Sequence, residues 1–202
     1  MRRKMTDKHW LVVGLGNPGS RYQDTRHNVG RATVELLARE GGSKFKMDRS
    51  QTMVARIKVG PPGSQVPLTL AYARSFMNVC GPAVAGLAAR EKVAASNLLI
   101  VHDDLDLPAH ALRLKLGGGS GGHNGLKSVS SALKSQDYAR LRIGVGRPPG
   151  SMDPAAFVLA PIRGKQLEEW QVTYQQAADV IVSVVLQGFT KAQMELHSRD
   201  TR

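Results

Sequence analysis

The sequence predicts an α/β protein that folds as a single domain around a mixed sheet. Short apolar runs alternate with segments whose apolar residues recur every three or four positions, which indicates alternating strands and helices. The length of 202 residues fits one compact domain, and a hydrophobic content of 42% is sufficient for its core. Because no linker or repeat divides the chain, we expect a disordered N-terminus over residues 1–9, one domain over 10–197 and a tail over 198–202.

The strand signals come in two kinds. Three runs are nearly continuous in apolar residues, as expected of strands covered on both faces: residues 10–13, 68–72 and 98–101. A Gly-Pro-Pro-Gly turn joins residues 51–59 to 66–72, which predicts a hairpin. Over residues 112–116, leucines alternate with Arg113 and Lys115, which predicts a half-buried strand with one basic face. The sheet should therefore contain antiparallel as well as parallel pairs.

Four segments carry apolar residues at helical spacing, and they are residues 29–37, 80–88, 126–133 and 167–184. The first should stop at Gly41, and the last, a long amphipathic helix, at Gly188. Thr190 and Gln193 then have the spacing of a capping box, which predicts a short final helix.

The charge balance points to an anionic partner. Lys and Arg number 28 against 16 Asp and Glu, giving a formal charge of +12. A positive field attracts polyanions, so nucleic acid is the first expectation, with an anionic membrane surface or simple solubility as alternatives. No apolar run approaches the ~18 residues of a membrane span. The single cysteine, Cys80, excludes an internal disulfide and favours a reducing compartment, the cytoplasm, or a mitochondrion or plastid if a targeting segment was removed.

Three motifs suggest cofactors but fit them poorly. The segment Gly14-Leu-Gly-Asn-Pro-Gly19 matches a dinucleotide fingerprint, yet no acidic residue closes a second strand about 20 residues later. In Gly122-His-Asn-Gly-Leu-Lys-Ser128, Leu126 separates the last glycine from the lysine, unlike a phosphate-binding loop. The six histidines show no i, i+4 pair of the kind that binds zinc on a helix. We therefore predict no cofactor and no metal.

Polar residues follow each of the three buried strands. Asn17 and His27 come after the first, Asn78 after the second and Asp103 after the third. If these strands are parallel neighbours, the four side chains should converge, because ligands bind beyond the carboxyl ends of such strands. A glycine-rich loop, residues 117–122, then leads to His123 and Asn124. We expect this set to hydrolyse an ester or amide with a water that His27 activates, because neither Ser75 nor Cys80 lies in a nucleophile elbow.

Each candidate residue also has a structural interpretation. His27 could hydrogen-bond the turn before its helix, and Asp103 could be an ordinary turn residue. Asn124 could cap its helix. Phe76 and Met77 could belong to the core, and the charges of residues 113–115 could form a solvated strand face. Their shared location favours the functional interpretation.

Five ordered segments resemble the bacterial-type peptidyl-tRNA hydrolase family. The first is Asn17-Pro-Gly-Ser-Arg-Tyr-Gln-Asp-Thr-Arg-His-Asn-Val-Gly30, which is similar to the family signature N-P-G-x-x-Y-x-x-T-R-H-N-x-G. The others are residues 76–78, 102–108, 117–127 and 140–146. The resemblance covers residues 10 to 197. It implies a monomeric, metal-independent protein with a twisted, mostly parallel sheet surrounded by helices.

The resemblance also implies residue roles. It assigns catalysis to His27 and Asp103, with Asn17 positioning substrate and water. The implied substrate-binding residues are Tyr22, Phe76, Met77, Asn78 and Asn124. The implied contacts to the tRNA phosphate are Lys115, Arg142 and Arg113. The expected partner is peptidyl-tRNA, from which the peptide is released. Two alternatives are a non-enzymatic RNA-binding factor of the organelle intron-splicing type and a nucleotide-dependent oxidoreductase.

Overall fold

The computed structural model describes residues 9–199, and the predicted α/β class is confirmed. A seven-stranded sheet has the order β2-β3-β4-β1-β5-β7-β6. Its strands are β1 Trp10–Gly14, β2 Lys46–Met47, β3 Thr52–Val59, β4 Val66–Ala73, β5 Leu98–Asp104, β6 Leu112–Leu116 and β7 Ala139–Gly144. The four central strands are parallel, while β2, β3 and β6 pair antiparallel at the two edges. The sheet is mixed, as predicted.

The three apolar runs occupy the middle of this sheet. β1 lies between β4 and β5 and is parallel to both, so Val12 is in register with Leu70 on one side and Leu99 on the other. Every residue of β1 is buried. Helices cover both faces, which explains why these strands carry continuous apolar sequence instead of alternation. Their carboxyl ends therefore meet at one edge of the sheet.

Two helical layers enclose the sheet. The helices are α1 Val29–Glu40, α2 Gly81–Arg90, α3 Asn124–Leu133, α4 Pro154–Leu159, α5 Lys165–Gln187 and α6 Phe189–Ser198. The apolar sides of α1, α5 and α6 pack together on one face of the sheet. Those of α2 and α3 pack on the other face. None of the helices in residues 9–199 is long and apolar enough to cross a membrane.

Three details of the sequence prediction are corrected by the structure. The predicted capping box at Thr190 is wrong: α6 begins after Gly188 without a side-chain cap, and the Gln193 amide donates instead to the backbone oxygen of Leu114 at 2.8 Å. Leu116, predicted to face the core, is 59% exposed because it lies at the end of an edge strand. Strand β7 was not predicted, although Leu141 and Ile143 alternate with arginines as in β6. Of the predicted terminal segments, residues 1–8 and 200–202 lie outside the described residues.

Gly14, the first glycine of the apparent dinucleotide fingerprint, and Gly30 in α1 have a packing role. A Cβ built on Gly14 would lie 2.3 Å from the backbone oxygen of Gly30 in α1. One built on Gly30 would lie 2.1 Å from the backbone oxygen of Val101 in β5. The two glycines thus let α1 approach the centre of the sheet closely. This approach carries the segment before α1, which includes His27, to the end of β5.

Candidate active site

The predicted cluster forms at the carboxyl edge of the sheet. His27 lies in the 3-10 turn Arg26–Asn28, just before α1, and Asp103 is near the end of β5. The Nδ1 atom of His27 is 2.9 Å from Oδ2 and 3.0 Å from Oδ1 of Asp103. The Asp103 side chain is 3% exposed, whereas that of His27 is 15% exposed. The imidazole therefore reaches solvent while its carboxylate partner is buried.

This pairing sets the charge of Asp103 and the tautomer of His27. Burial would raise the pKa of the Asp103 carboxyl, but the interactions with His123 and His27 outweigh burial and hold that pKa far below its ordinary value. Asp103 is therefore an anion and accepts a hydrogen bond from Nδ1–H of His27, which leaves a lone pair on Nε2. Burial lowers the pKa of His27, yet the charge and hydrogen bond of Asp103 give a net rise above 6.5. Activity that depends on the neutral imidazole should therefore be lost as the pH falls through this raised pKa.

His123 contacts the same carboxylate. The sequence predicts that His123 lies near the site but indicates no role for it. Its Nε2 is 2.8 Å from Oδ1 of Asp103, and its Nδ1 accepts from the backbone N–H groups of Gly125 and Leu126. His123, not Asn124, is therefore the N-cap of α3. Since histidine is not a usual capping residue, only its position before the helical pattern could have indicated this.

The three side chains His27, Asp103 and His123 lie close enough to surround a cation, with one ligand atom of each within 4.8 Å of the others. The hydrogen bonds argue against that use. Because Nδ1 of His123 accepts from two backbone amides, its proton must be on Nε2, the atom that faces Asp103. A protonated nitrogen cannot ligate a metal, so binding would require the cap to break. The expected independence from metal stays a prediction.

Asn17 and Asn28 connect the loop that follows β1 to the loop that follows β4. The Oδ1 atom of Asn17 accepts from the backbone N–H of Met77 at 2.8 Å. Asn28, which the sequence analysis did not single out, is 1% exposed and exchanges two hydrogen bonds with the backbone of Asn17. Since Oδ1 of Asn17 is engaged, any further hydrogen bond from that side chain runs through its Nδ2 donor. A donor suits an acyl oxygen that gains negative charge.

The predicted substrate-binding residues divide into two groups. Asn78 and Asn124 are exposed, and Phe76 is 52% exposed with its ring edge-to-face against Tyr22 at a centroid distance of 6.2 Å. These four side chains are accessible to a ligand. Met77 is not: its side chain is 2% exposed and packs in the α2–α3 core, so the core interpretation holds for it. Met77 contributes to the site through its backbone N–H alone.

The basic residues lie on one face of the β6–β7 edge. Arg113 is opposite Arg142 and Lys115 is opposite Arg140, and residues directly opposite project to the same side of the sheet. Arg142 is held by Asp104, whose Oδ2 accepts from Nε at 2.7 Å. Arg140, absent from the prediction, is 2% exposed and donates to the backbone oxygens of Gly118 and Gly119. It therefore anchors the glycine-rich loop that leads to His123.

Cys80 cannot serve as the nucleophile. The residue is 2% exposed, and burial raises the pKa of its thiol to about 11. The reactive thiolate is therefore absent near neutral pH. Ser75 has no histidine partner among the described residues; its hydroxyl faces the backbone oxygen of Val79 at 3.5 Å. Water activated by His27 is the nucleophile that fits this geometry.

Comparison with known proteins gives a consistent result. The family described as "Peptidyl-tRNA hydrolase" matches residues 11–202. A peptidyl-tRNA hydrolase of Nocardia farcinica is 48% identical over 190 residues, covering 93% of this chain and 95% of that protein. One from Kineococcus radiotolerans is 46% identical, covering 94% and 97%. The crystal structure of peptidyl-tRNA hydrolase from Acinetobacter baumannii superimposes with a TM-score of 0.77 at 34% identity, covering 94% of each chain. With nearly its whole length matched in both sequence and fold, the chain belongs to the peptidyl-tRNA hydrolase family.

Proposed function

We propose that this protein hydrolyses the ester that links a peptide to tRNA, using a water molecule activated by His27. The observation that carries the proposal is the hydrogen-bonded pair of His27 and Asp103, in which a buried carboxylate orients an imidazole that reaches solvent. An ester is already activated relative to an amide, so a general base and oxyanion donors are sufficient without a covalent intermediate. The proposal includes action as a monomer in the cytoplasm.

The reaction follows from the hydrogen bonds. Nε2 of His27 takes a proton from water, and the resulting hydroxide forms a bond to the ester carbonyl carbon. Asp103 stabilises the imidazolium that forms, and the Nδ2 donor of Asn17 is available to the developing oxyanion. When the bond from that carbon to the ribose oxygen breaks, the proton on Nε2 passes to that leaving oxygen, which becomes the ribose hydroxyl. The base is then restored for another turnover.

The substrate should be recognised at both of its ends. The accessible carboxamides of Asn78 and Asn124 can hydrogen-bond the amide of an acylated amino acid, whereas a free α-amine is a cation that lacks this acceptor oxygen. The basic face of β6 and β7 suits the tRNA phosphates. The non-enzymatic alternative is not favoured, since the relatives above are named as hydrolases. The oxidoreductase alternative is weakened, because close packing against α1 accounts for Gly14, the first glycine of its fingerprint.

The substrate test compares two forms of one tRNA. We expect rapid release of the amino acid from N-acetylaminoacyl-tRNA and at least about 10²-fold slower release from the same tRNA with a free α-amine, because a site built for an amide leaves its polar groups unpaired otherwise. Release is followed with a radiolabelled amino acid, and spontaneous hydrolysis without protein is the control. Equal rates on the two substrates would contradict the proposed recognition.

The phosphate contact is tested through salt dependence. Lys115 is exposed on the basic face, so Lys115→Ala should weaken tRNA binding several-fold and reduce the slope of log affinity against log salt by about 1. Lys58→Ala is the matched control, because Lys58 is an exposed strand lysine near the opposite edge of the sheet. Binding is measured by fluorescence anisotropy at several salt concentrations. An equal loss in both variants would show that only net charge matters.

A further inference from the structure

The carboxylate of Asp103 lies between two imidazoles that come from opposite layers of the fold. His27 precedes α1, on the α1–α5 side of the sheet, and His123 caps α3, on the other side. Their ring centroids are 5.1 Å apart; Nδ1 of His27 lies 2.9 and 3.0 Å from the two carboxylate oxygens, and Nε2 of His123 lies 2.8 Å from Oδ1. The charge of Asp103 is thus shared. His27 interacts with a carboxylate that a second donor has partly neutralised.

The proton of His123 is fixed by α3. Its Nδ1 accepts from the N–H of Gly125 at 3.1 Å and from that of Leu126 at 3.3 Å. A proton on Nδ1 would point at these two donors, so the ring carries its proton on Nε2. That N–H is the donor to Asp103, while His27 is free to gain and lose a proton.

The neighbouring charges do not disturb this division. His102, behind His123, has its Nδ1 2.7 Å from the backbone oxygen of Asp103, and its complete burial lowers its pKa to about 3, so it stays neutral. On the same strand Asp104 is paired with Arg142. Beside His27, Arg26 lies over the uncharged ring of Phe157 in α4, and Arg31 of α1 pairs with Glu35. Asp103 is therefore the charged group that acts directly on His27, and His123 is the donor that shares its carboxylate.

Resting on the proposed function, we propose that His123 is a positioning residue: its Nε2–H holds the Asp103 carboxylate and thereby sets the pH at which His27 becomes a free base. Without this donor, Asp103 would stabilise the imidazolium of His27 more strongly. More of the protein would then carry a protonated His27 at neutral pH. The role differs from helix capping, which uses the other ring nitrogen.

Two substitutions at His123 test the roles of its Nδ1 and Nε2 atoms separately. Asparagine is a good N-cap but is too short to reach Asp103, so His123→Asn keeps the cap and removes the donor. Glutamine places an amide N–H near the position of Nε2, so His123→Gln keeps the donor and loses the cap. The titration of His27 is followed by NMR of the ring in full-length protein. The pH dependence of kcat/KM on N-acetylaminoacyl-tRNA is measured as well, and its acid limb gives the midpoint of the catalytic base.

We expect His123→Asn to raise the titration midpoint of His27 by about 1 pH unit. The acid limb of the pH profile of kcat/KM should move to higher pH by the same amount. His123→Gln should keep the wild-type midpoint and lower thermal stability. If both variants lose activity while the His27 midpoint stays unchanged in His123→Asn, the role is structural and the inference is overturned. An equal shift in both variants would also overturn it. Because NMR requires no substrate, failure of the hydrolysis assay alone would count against the proposed function and not against this inference.

Discussion

Replacing His27 with alanine should reduce kcat/KM on N-acetylaminoacyl-tRNA by about 10³- to 10⁴-fold, the contribution typical of a positioned general base. The variant removes the imidazole whose Nδ1 contacts Asp103 and whose Nε2 is free to take a proton from water. Its affinity for tRNA should change little, because the basic face of β6 and β7 lies on other elements. Single-turnover rates and anisotropy binding measure the two effects separately. Normal turnover in His27→Ala would remove the mechanism.

Asp103→Asn is the companion variant, with a comparable loss of about 10⁴-fold. His123 keeps its proton on Nε2, so the Asn oxygen must face His123 and the Asn amide group must face His27. Nδ1 of His27 would then be an acceptor, and the proton would move to Nε2, the atom that should bind the water. The shape of the site is retained, but the base is in the wrong tautomer. A variant that retains wild-type activity would show that the carboxylate does not orient His27.

The second large effect concerns folding. Gly81 begins α2 and touches α3, where a Cβ would lie 1.9 Å from the backbone oxygen of Ser128. Its N–H also donates to the Ser128 hydroxyl at 2.8 Å. Gly81→Ala must therefore push the two helices apart, and we expect a loss of about 3 kcal/mol in the free energy of unfolding. Because α3 carries His123 at its N-terminus, activity should fall as well. Urea denaturation measures the first effect and steady-state kinetics the second.

Gly86→Ala is the matched control in the same helix. The nearest atom to its Cβ would be Cβ of Ser50 at 3.7 Å, an ordinary contact, and the position is in the helix interior. Alanine there should stabilise the protein by up to about 1 kcal/mol, since glycine costs that amount in a helix. If both variants changed stability equally, helix propensity and not the close contact of α2 with α3 would explain the result.

The sequence predicted the elements that local pattern controls. Continuous apolar runs indicated β1, β4 and β5, and helical spacing indicated α1, α2, α3 and α5. Capping was predicted less well, because the choice between Thr190, Gly188 and His123 as caps depends on contacts with distant residues such as Leu114 and Asp103. The same limit applies to Met77, whose side chain turns into the core while its amide faces Asn17. Spacing alone cannot distinguish these orientations.

By itself, the sequence determined which chemical groups follow the buried strands, and hence that an imidazole, a carboxylate and carboxamides share one edge of a sheet. Only the tertiary structure decided how they pair. Asp103 meets His27 from 76 positions away and His123 from 20, because two helical layers converge at the end of β5. It likewise decided that Asp104 holds Arg142 and that Arg140 anchors the glycine-rich loop. Such pairings depend on the packing of layers across the sheet, which no local pattern of residues encodes.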